Sequence, residues 1–378
     1  MPSILISGAS IAGPALAYWL ARFGFTPTLV ERASGPRPGG HAVDIRGAAL
    51  DVLEAMDLKE TARAKRTQMR GVSTIGPDGA ELWRSEEMTI TGGKFDNPDI
   101  EILRDDLSFL LHGKLAAGTK IIFDDTITGL TEAADGITAS FAKAPAQKFD
   151  LVIGADGLRS NTRNLAFGNG DRFLTPMGVA LAIFSAPNHI GLADWQLNYQ
   201  DGKDNCLIYT ARENTELRVG FSFAAGLDDV GRDQASQMAQ VLQRCGHMGW
   251  EVPKLLAAMP AAPDFYLGVM AQVKMPHWTK ERVALVGDAA YCPSPFSGQG
   301  TSLSLVGTYV LAYELSQSPA DYCAAFARYE ERMRPFVENN QAIAQMAQDE
   351  RFHEPAFQAE IQAVLDSAKN SISLPELC

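Results

Sequence analysis

The sequence predicts a mixed α/β (α+β) protein in two domains: a parallel, nucleotide-binding sheet, an inserted antiparallel sheet and a helical carboxy-terminal end. Three observations carry that expectation. A short apolar strand, Ile4-Leu5-Ile6, runs at once into Gly8-Ala9-Ser10-Ile11-Ala12-Gly13 and a helix. A second apolar run, Leu151-Val152-Ile153, ends in Gly154-Ala155-Asp156-Gly157. A third, Val283-Ala284-Leu285-Val286, ends in Gly287-Asp288 and passes through prolines and glycines into a helix from Thr301 onward.

The first unit is a βαβ. Ala15 to Phe23 reads as a helix with small residues toward the sheet, Gly24 closes it, and Thr28-Leu29-Val30 is the next strand. Gly8, Ser10, Ala12 and Gly13 form a phosphate-binding turn, Rossmann-like in its place between strand and helix. Glu31, at the end of the second strand and beside Arg32, suits a ribose 2′-hydroxyl and would reject a 2′-phosphate, which favours FAD or NAD over NADP. Ser10 departs from the usual fingerprint, where a second glycine lets the backbone approach the pyrophosphate; a serine is small and can give its hydroxyl to a phosphate oxygen. The same turn resembles the nucleophile elbow of a hydrolase, but an elbow needs earlier strands to supply an oxyanion hole.

Next, Gly39-Gly40-His41-Ala42-Val43-Asp44-Ile45-Arg46-Gly47 permits a close chain approach, and Arg46 offers a positive charge. Ala48 to Leu58 is a helix. Gly71 to Leu82 reads as strands joined by a hairpin at Gly76-Pro77-Asp78-Gly79, an excursion into a second domain that lasts to Asp99. Ile100 to Leu103 leads into a helix, Asp105 to Ala116, and Arg104 sits at the junction, where it can reach over a cofactor. Ile121 to Phe141 reads as strands with polar turns.

After the Asp156 turn, Ser160 and Arg163 open a helical turn. From Asp171 to about Lys274 the chain changes character. Strand-like runs at Val179–Phe184, Trp195–Tyr199, Cys206–Tyr209 and Leu217–Phe223 are followed by helices at Gln234–Cys245 and Pro253–Met259, an antiparallel sheet with helices. The chain returns to the first domain at Arg282. After Ser318 it is helical: Phe326, Tyr329, Met333, Phe336 and Val337 share a face, Pro335 predicts a kink, and Phe357, Ile361, Val364, Leu365 and Ala368 define a last amphipathic helix. The expected division is 1–70, 99–170 and 276–325 for the cofactor domain, 71–98 and 171–275 for the substrate domain, and 326–378 for helices that bridge or lid the two.

The Gly287–Gly300 stretch points to the ligand. Asp288 presents an acceptor at the carboxyl end of a strand, and the Gly298-Gln299-Gly300 turn presents unpaired N–H groups and the positive end of a helix dipole. A flavin fits: its ribityl and ribose hydroxyls suit Asp288, and its reduced ring gathers negative charge where the glycine turn points. Gly287, Asp288, Pro295, Gly298, Gln299 and Gly300 are therefore candidate cofactor residues.

Composition narrows the class. The 378 residues are 46% hydrophobic and 21% charged, ample for a core, and a net charge of −12 argues against nucleic acid and anionic membranes as partners. Met1-Pro2-Ser3 leads into a strand with no basic leader, and no long apolar span is present. Five scattered cysteines, without CxxC spacing, fit free thiols in a reducing cytoplasm, and six histidines without metal-ligand spacing predict no metal site. A monomer is expected.

The three signatures in this order resemble the group A flavoprotein aromatic hydroxylases, the para-hydroxybenzoate hydroxylase-like FAD monooxygenases. Within them the sequence looks most like the flavin monooxygenases that inactivate tetracyclines, above all at Ala17-Tyr18-Trp19-Leu20, Asp44-Ile45-Arg46-Gly47, Glu101-Ile102-Leu103-Arg104 and Gly287–Gly300. The resemblance implies a cofactor domain of the glutathione-reductase type. It implies that Glu31 holds the adenosine ribose, that Arg46 and Arg104 line the flavin, and that Asp156 sits where FAD and the nicotinamide nucleotide both approach. Asp288 would hold the ribityl–pyrophosphate region, with Pro293–Gly300 against the ring. Gln196, Arg218, Phe221 and Pro295 would contact substrate, although the family more often has histidine where Arg218 stands. The implied reaction uses NAD(P)H as a passing donor and O2, and hydroxylates a polycyclic or phenolic substrate through a flavin C4a-hydroperoxide, with no side chain as general base.

Other classes keep the same cofactor motifs. A flavin-dependent halogenase needs a WxWxIP segment, of which Trp250-Glu251-Val252-Pro253 is a partial echo. A reductase without oxygen transfer, a hydroxylase of another phenol or aromatic polyketide, and a flavin-binding regulator that sequesters a ligand are the remaining alternatives.

Overall fold

A computed structural model describes residues 1–87, 97–202, 204–231, 233–346, 348–349, 351 and 355–376. Residues 88–96, inside the expected excursion, and Cys378 lie outside the described residues. The chain opens with β1 (Ser3–Ser7), α1 (Ala12–Arg22), β2 (Thr26–Glu31), β3 (Ala42–Ile45), α2 (Ala48–Ala55) and α3 (Lys59–Ala64). A hairpin, β4 (Val72–Ile75) and β5 (Glu81–Ser85), precedes β6 (Ile100–Leu103) and α4 (Arg104–Gly113). Then β7 (Lys120–Phe123), β8 (Ile127–Ala133), β9 (Gly136–Phe141), β10 (Gln147–Phe149) and β11 (Leu151–Gly154) lead to α5 (Asn161–Phe167). The middle of the chain holds β12 (Leu174–Pro187), β13 (Gln196–Asp201), β14 (Asp204–Ala211), β15 (Glu216–Ala224), α6 (Gln234–Cys245), α7 (Val252–Ala258) and β16 (Tyr266–Val273). Last come β17 (Thr279–Lys280), β18 (Val283–Leu285), α8 (Asp288–Tyr291), α9 (Gly300–Gln317), α10 (Tyr322–Met346) and α11 (Pro355–Ala368).

The three apolar runs lie side by side. A six-stranded sheet has the order β17-β18-β11-β1-β2-β7, parallel except for β17 at its edge. Its central residues Ile4, Leu5, Ile6, Val152 and Ile153 have no exposed surface, as continuous apolar strands in a sheet covered on both faces require. On one face Leu16, Trp19 and Leu20 of α1 pack with Leu303, Val306 and Val310 of α9, and Trp19 meets Tyr309 edge to face at 4.8 Å. On the other, Leu5, Val30 and Val152 pack against Ile137, Phe141 and Phe149 of the β10-β9-β8 sheet.

Helix α9 is buried over nearly its whole length, which explains why its sequence is apolar on every side. Its amino end is thereby fixed by the core of the protein. Helix α10 runs continuously through Pro335, where the sequence predicts a kink, and α11 begins at Pro355, a position where the missing N–H costs nothing.

The inserted sheet has seven strands in the order β16-β12-β15-β14-β13-β4-β5, antiparallel except for the β13–β4 pair. The Gly76–Gly79 turn closes the β4–β5 hairpin, with Gly76 N–H donating to Ala80 O at 2.9 Å. One face of this sheet packs Phe184, Val219, Phe221 and Phe223 against Val241, Leu255 and Leu256 of α6 and α7. On its opposite face Tyr209 and Ala211 pack with Leu103 of β6 and Ala42 of β3. No helix among the described residues is long and apolar enough to cross a membrane. Cys206, Cys245, Cys292 and Cys323 are unpaired thiols, and no His/Cys/Asp/Glu group among the described residues could hold a metal ion.

Candidate cofactor and substrate site

The turn after β1 is closed to side chains. Gly8 has φ +101°, and a Cβ there would lie 2.5 Å from Ala155 O; a Cβ on Gly13 would lie 1.9 Å from Gly8 O. Both glycines therefore let β11, the turn and α1 touch backbone to backbone. Glu31 braces the turn from the end of β2. Its Oε2 accepts the Ala9 N–H at 2.8 Å and its Oε1 the Ala33 N–H at 3.0 Å. Each oxygen keeps acceptor capacity for a ribose hydroxyl. Arg32 beside it is exposed, and Ala12 is buried against Gly287.

Helix α4 fixes the outside of the turn. Arg104 donates to the Ser10 hydroxyl at 3.0 Å and to the carbonyls of Arg37 and Gly39 at 3.1 and 2.8 Å. Ser108 donates to Ser10 O at 2.9 Å, and His112 Nε2 bonds Ala9 O at 2.7 Å. Ser10 is thus tied to the protein through both its hydroxyl and its carbonyl.

Asp156 is committed to the chain. Its carboxylate accepts from the hydroxyls of Ser160 at 2.5 Å, Ser7 at 3.3 Å and Thr162 at 2.9 Å, and from Thr162 N–H at 2.9 Å. Its position brings the end of β11 beside the turn, and its visible work is to hold the 154–162 loop. Buried Arg163 then ties α5 to α8, donating to Ala289 O at 2.9 Å and Leu158 O at 2.7 Å.

At the third signature, Asp288 opens α8, a single helical turn where the sequence suggests only an acidic turn. Burial raises its carboxyl above the usual range, against a hydrogen bond from the Cys292 thiol. The following loop is strained: Ser294, between two prolines, has φ 76°. Two buried glutamines hold it. Gln272 donates to Pro293 O at 3.1 Å and Gln341 O at 2.7 Å, while Gln341 donates to Val273 O at 2.8 Å and reaches Tyr291 O and Cys292 O at 3.3 Å. Pro295 is left exposed. Gly298 takes the left-handed conformation, φ 61°, and α9 starts at Gly300, where a Cβ would lie 3.6 Å from Asp288 Oδ1.

An ion pair lies on this glycine turn. Arg46, 5% exposed, bonds Asp44 at 2.9 Å, and a Cβ on Gly298 would lie 3.4 Å from Asp44 Oδ2 and 3.5 Å from Arg46 Cζ. The Arg46 N–H donates to Ser302 on α9 at 3.0 Å. Glu101 faces Asp44 across β3 and β6; burial first, then Asp44, push its carboxyl up to about 7, against the Thr67 hydroxyl and Arg46.

The fit to FAD rests on what the turn leaves unpaired. Gln299 has no exposed surface, yet neither amide atom has a hydrogen-bond partner among the described residues, and the buried Ser294 hydroxyl has none either. Such groups are rare unless a ligand or water completes them. Together with the glycine-only turn and the open acceptor positions of Glu31, they suit a dinucleotide that ends in a polar ring at α9.

The face of the seven-stranded sheet opposite α6 and α7 carries buried polar side chains. Gln196, Tyr209, Arg218 and Ser185 form one cross-strand row. Arg218 bonds Glu216 at 2.9 Å and stands 3.8 Å from Asp264, and the Tyr209 hydroxyl accepts the Ala42 N–H at 2.6 Å. Further along, Phe296 of the 292–299 loop packs with Met177, Val179, Leu181, Met270 and Ala344 of α10. Phe221 corrects the expectation. It lies three residues from Arg218, so the period of two turns it to the other face, where it has no exposed surface and stacks on Phe184 under α6 and α7. Sequence reasoning passed over His41, Tyr209, Asp264, Gln272 and Gln341. The alternation of β14 signals Tyr209; the others are joined to the site only by tertiary contacts.

A closed glycine turn, an acidic residue after the second strand and unpaired buried polar groups at a helix terminus suit a flavin-binding α/β protein. The chain belongs to the FAD-dependent monooxygenases: residues 2–342 match the FAD binding domain family, and a flavin-dependent monooxygenase of an unknown prokaryotic organism is 40% identical over 99% of this chain and 98% of its own length. An uncharacterized protein of Mycobacterium tuberculosis, Rv1260, is 47% identical over 90% of this chain and 92% of its own. Among solved structures, the tetracycline destructase Tet(51) superposes with a TM-score of 0.91 at 35% identity, covering all of both chains.

Proposed function

We propose that this protein is an NAD(P)H-dependent monooxygenase that uses FAD and O2 to hydroxylate a polycyclic or phenolic small molecule, with tetracycline the substrate to test first. The carrying observation is the buried polar row Gln196–Tyr209–Arg218 on the sheet face opposite α6 and α7, with an apolar cluster around Phe296 of the 292–299 loop further along. A resemblance to Tet(51) along the whole chain supports the same substrate class. Bound FAD would supply electron transfer from the nicotinamide to oxygen and the transfer of one oxygen atom.

The chain's own residues hold and shield. Gly8, Gly13, Ser10 and Glu31 would seat the adenosine and pyrophosphate half; Gly287, Asp288 and Gln299 would hold the half that carries the ring. The amino end of α9 would offer N–H groups and a positive dipole end to the negative charge of the reduced ring. Arg46 adds a cation at the Gly298 turn, balanced by Asp44. Phe296, Met177, Met270 and Ala344 would keep water from one end of the site. Pro295, exposed on the loop, would meet both ring and substrate, and Arg218 and Gln196 would orient the substrate's polar edge. Arg32 would lie at the adenosine end, Arg104 would act through Ser10, and Asp156 would fix the loop that the nicotinamide nucleotide passes. No second phosphate-binding turn is visible in the sequence, which suits a donor that binds transiently.

The test is a reaction in air of the FAD-loaded protein with NADPH or NADH and tetracycline. Nicotinamide oxidation, oxygen uptake and product mass are followed together. A product heavier by one oxygen, with oxidation that quickens when the drug is added, is the expected result. Nicotinamide oxidation without oxygen uptake would instead make the protein a reductase.

A further inference from the structure

His41 stands against the sheet face that carries Tyr209 and Arg218. A Cβ on Gly220 would lie 3.4 Å from its Cε1 and 3.7 Å from its Nε2, so the ring occupies space that the absent side chain of Gly220 leaves on that face of the sheet. Its Nδ1 is 3.1 Å from the Tyr209 hydroxyl, and the two rings lie 6.1 Å apart at 17°.

The proton positions follow from the partners. Tyr209 Oη already accepts the Ala42 N–H at 2.6 Å. Burial pushes the Tyr209 phenol up, so it keeps its own proton. The acceptor within reach of that proton is His41 Nδ1, and an imidazole that accepts at Nδ1 carries its hydrogen on Nε2. The ring stays uncharged: burial and then Arg218 lower its pKa to about 4, against the opposing pull of Asp264. The side chain keeps a minor exposed part, and Nε2 has no hydrogen-bond partner among the described residues.

We infer that His41 is a substrate-recognition residue that presents an uncharged Nε2–H to an oxygen acceptor of the substrate, with Tyr209 as the positioning residue that fixes its tautomer. The inference rests on the monooxygenase reading above and deepens it. Arg218, buried and paired with Glu216, stands two residues from Gly220 on the same face of β15, so an oxygen bound at Nε2 would also lie near a fixed cation. That pair accepts a carbonyl, enolate or phenolate oxygen and rejects an amine or ammonium at the same point.

The experiment uses FAD-loaded protein labelled with 15N-histidine, and tetracycline and a set of simple phenols as probes. At neutral pH, one ring is expected with Nε2 protonated and Nδ1 bare. Its signal disappears in His41→Leu and becomes a mixture of tautomers in Tyr209→Phe. Adding a bound probe shifts that Nε2–H signal in the wild type. The Kd for the probe rises about tenfold in His41→Leu, less in Tyr209→Phe, and is partly restored in His41→Gln, which keeps a neutral donor. A charged or Nδ1-protonated His41, or a Kd unchanged in His41→Leu while the wild type binds a probe, overturns the inference alone. If the wild type binds none of the probes, the functional reading falls and takes the inference with it.

Discussion

Replacing Gln299 by methionine should move the protein in two opposite directions at once. In the structure the Gln299 side chain has no exposed surface, and both of its amide atoms lack partners among the described residues. A buried polar group left unpaired costs about 1–3 kcal/mol. Methionine matches the length of glutamine and brings no polar demand. The cofactor-free protein should therefore become more stable, by ~1–3 kcal/mol if only one of the two atoms carries the penalty. The FAD-loaded protein should lose whatever hydrogen bonds the amide makes to the flavin. At ~0.5–1.5 kcal/mol each, two such bonds amount to a fall in FAD affinity of roughly 5- to 150-fold. Calorimetry on protein stripped of flavin measures the first effect, and titration with FAD followed by flavin fluorescence measures the second. A less stable stripped protein with unchanged FAD affinity would refute the reasoning, because the amide would then be satisfied inside the chain and would not face the cofactor.

Glu101→Gln tests the buried acids beside the glycine turn. Burial and Asp44 raise the Glu101 carboxyl from 4.5 to about 7, so the folded state holds its proton more tightly than the unfolded chain does. Stability from this group is present below 4.5 and is lost as the pH rises through 7, a loss on the order of 2–3 kcal/mol. Urea unfolding should show the variant gaining on the wild type between pH 5 and pH 8; a gap that does not change with pH contradicts the assignment. Gly13→Ala puts a Cβ 1.9 Å from Gly8 O, so the turn must open; the variant should purify without yellow colour and lose ~1–3 kcal/mol of stability, read by absorbance and thermal melting. Glu31→Gln leaves either the Ala9 or the Ala33 N–H facing an amide NH2, and FAD affinity should fall roughly 5- to 150-fold for a cost of ~1–3 kcal/mol, measured by the same fluorescence titration.

Much of the fold was legible because its signals are local. Leu5, Val152 and Ala284 announce buried strands by their neighbours alone, and the glycines at 8, 13 and 298 announce turns that a larger side chain would strain. Helix α6 lies at Gln234–Cys245 as its pattern requires. Phe221 shows where locality stops. An apolar residue on a strand faces a core or a ligand with the same composition, and only the count of two from Arg218, together with α6 and α7 above it, decides which. Gln272 and Gln341 are 69 residues apart and share one loop, a meeting that neither sequence neighbourhood hints at. The single helical turn at Asp288–Tyr291 was hidden for a different reason: four residues carry too little periodicity to be read.

The strand order of the larger sheet has a consequence for how this enzyme can vary. Strands β4 and β5 come from before residue 100 and β12 to β16 from after residue 170, while β6 to β11 lie between them in the chain and build other sheets. The sheet that would choose the substrate is thus woven into the chain at several seams and is no cassette. A recombination break anywhere between Val72 and Val273 would graft part of one lineage's sheet onto another's, splitting cross-strand pairs such as Gln196 with Val72. New substrates should therefore arise by point replacement on the face that carries Tyr209 and Arg218, and chimaeras between relatives should survive only when both segments of that sheet travel together.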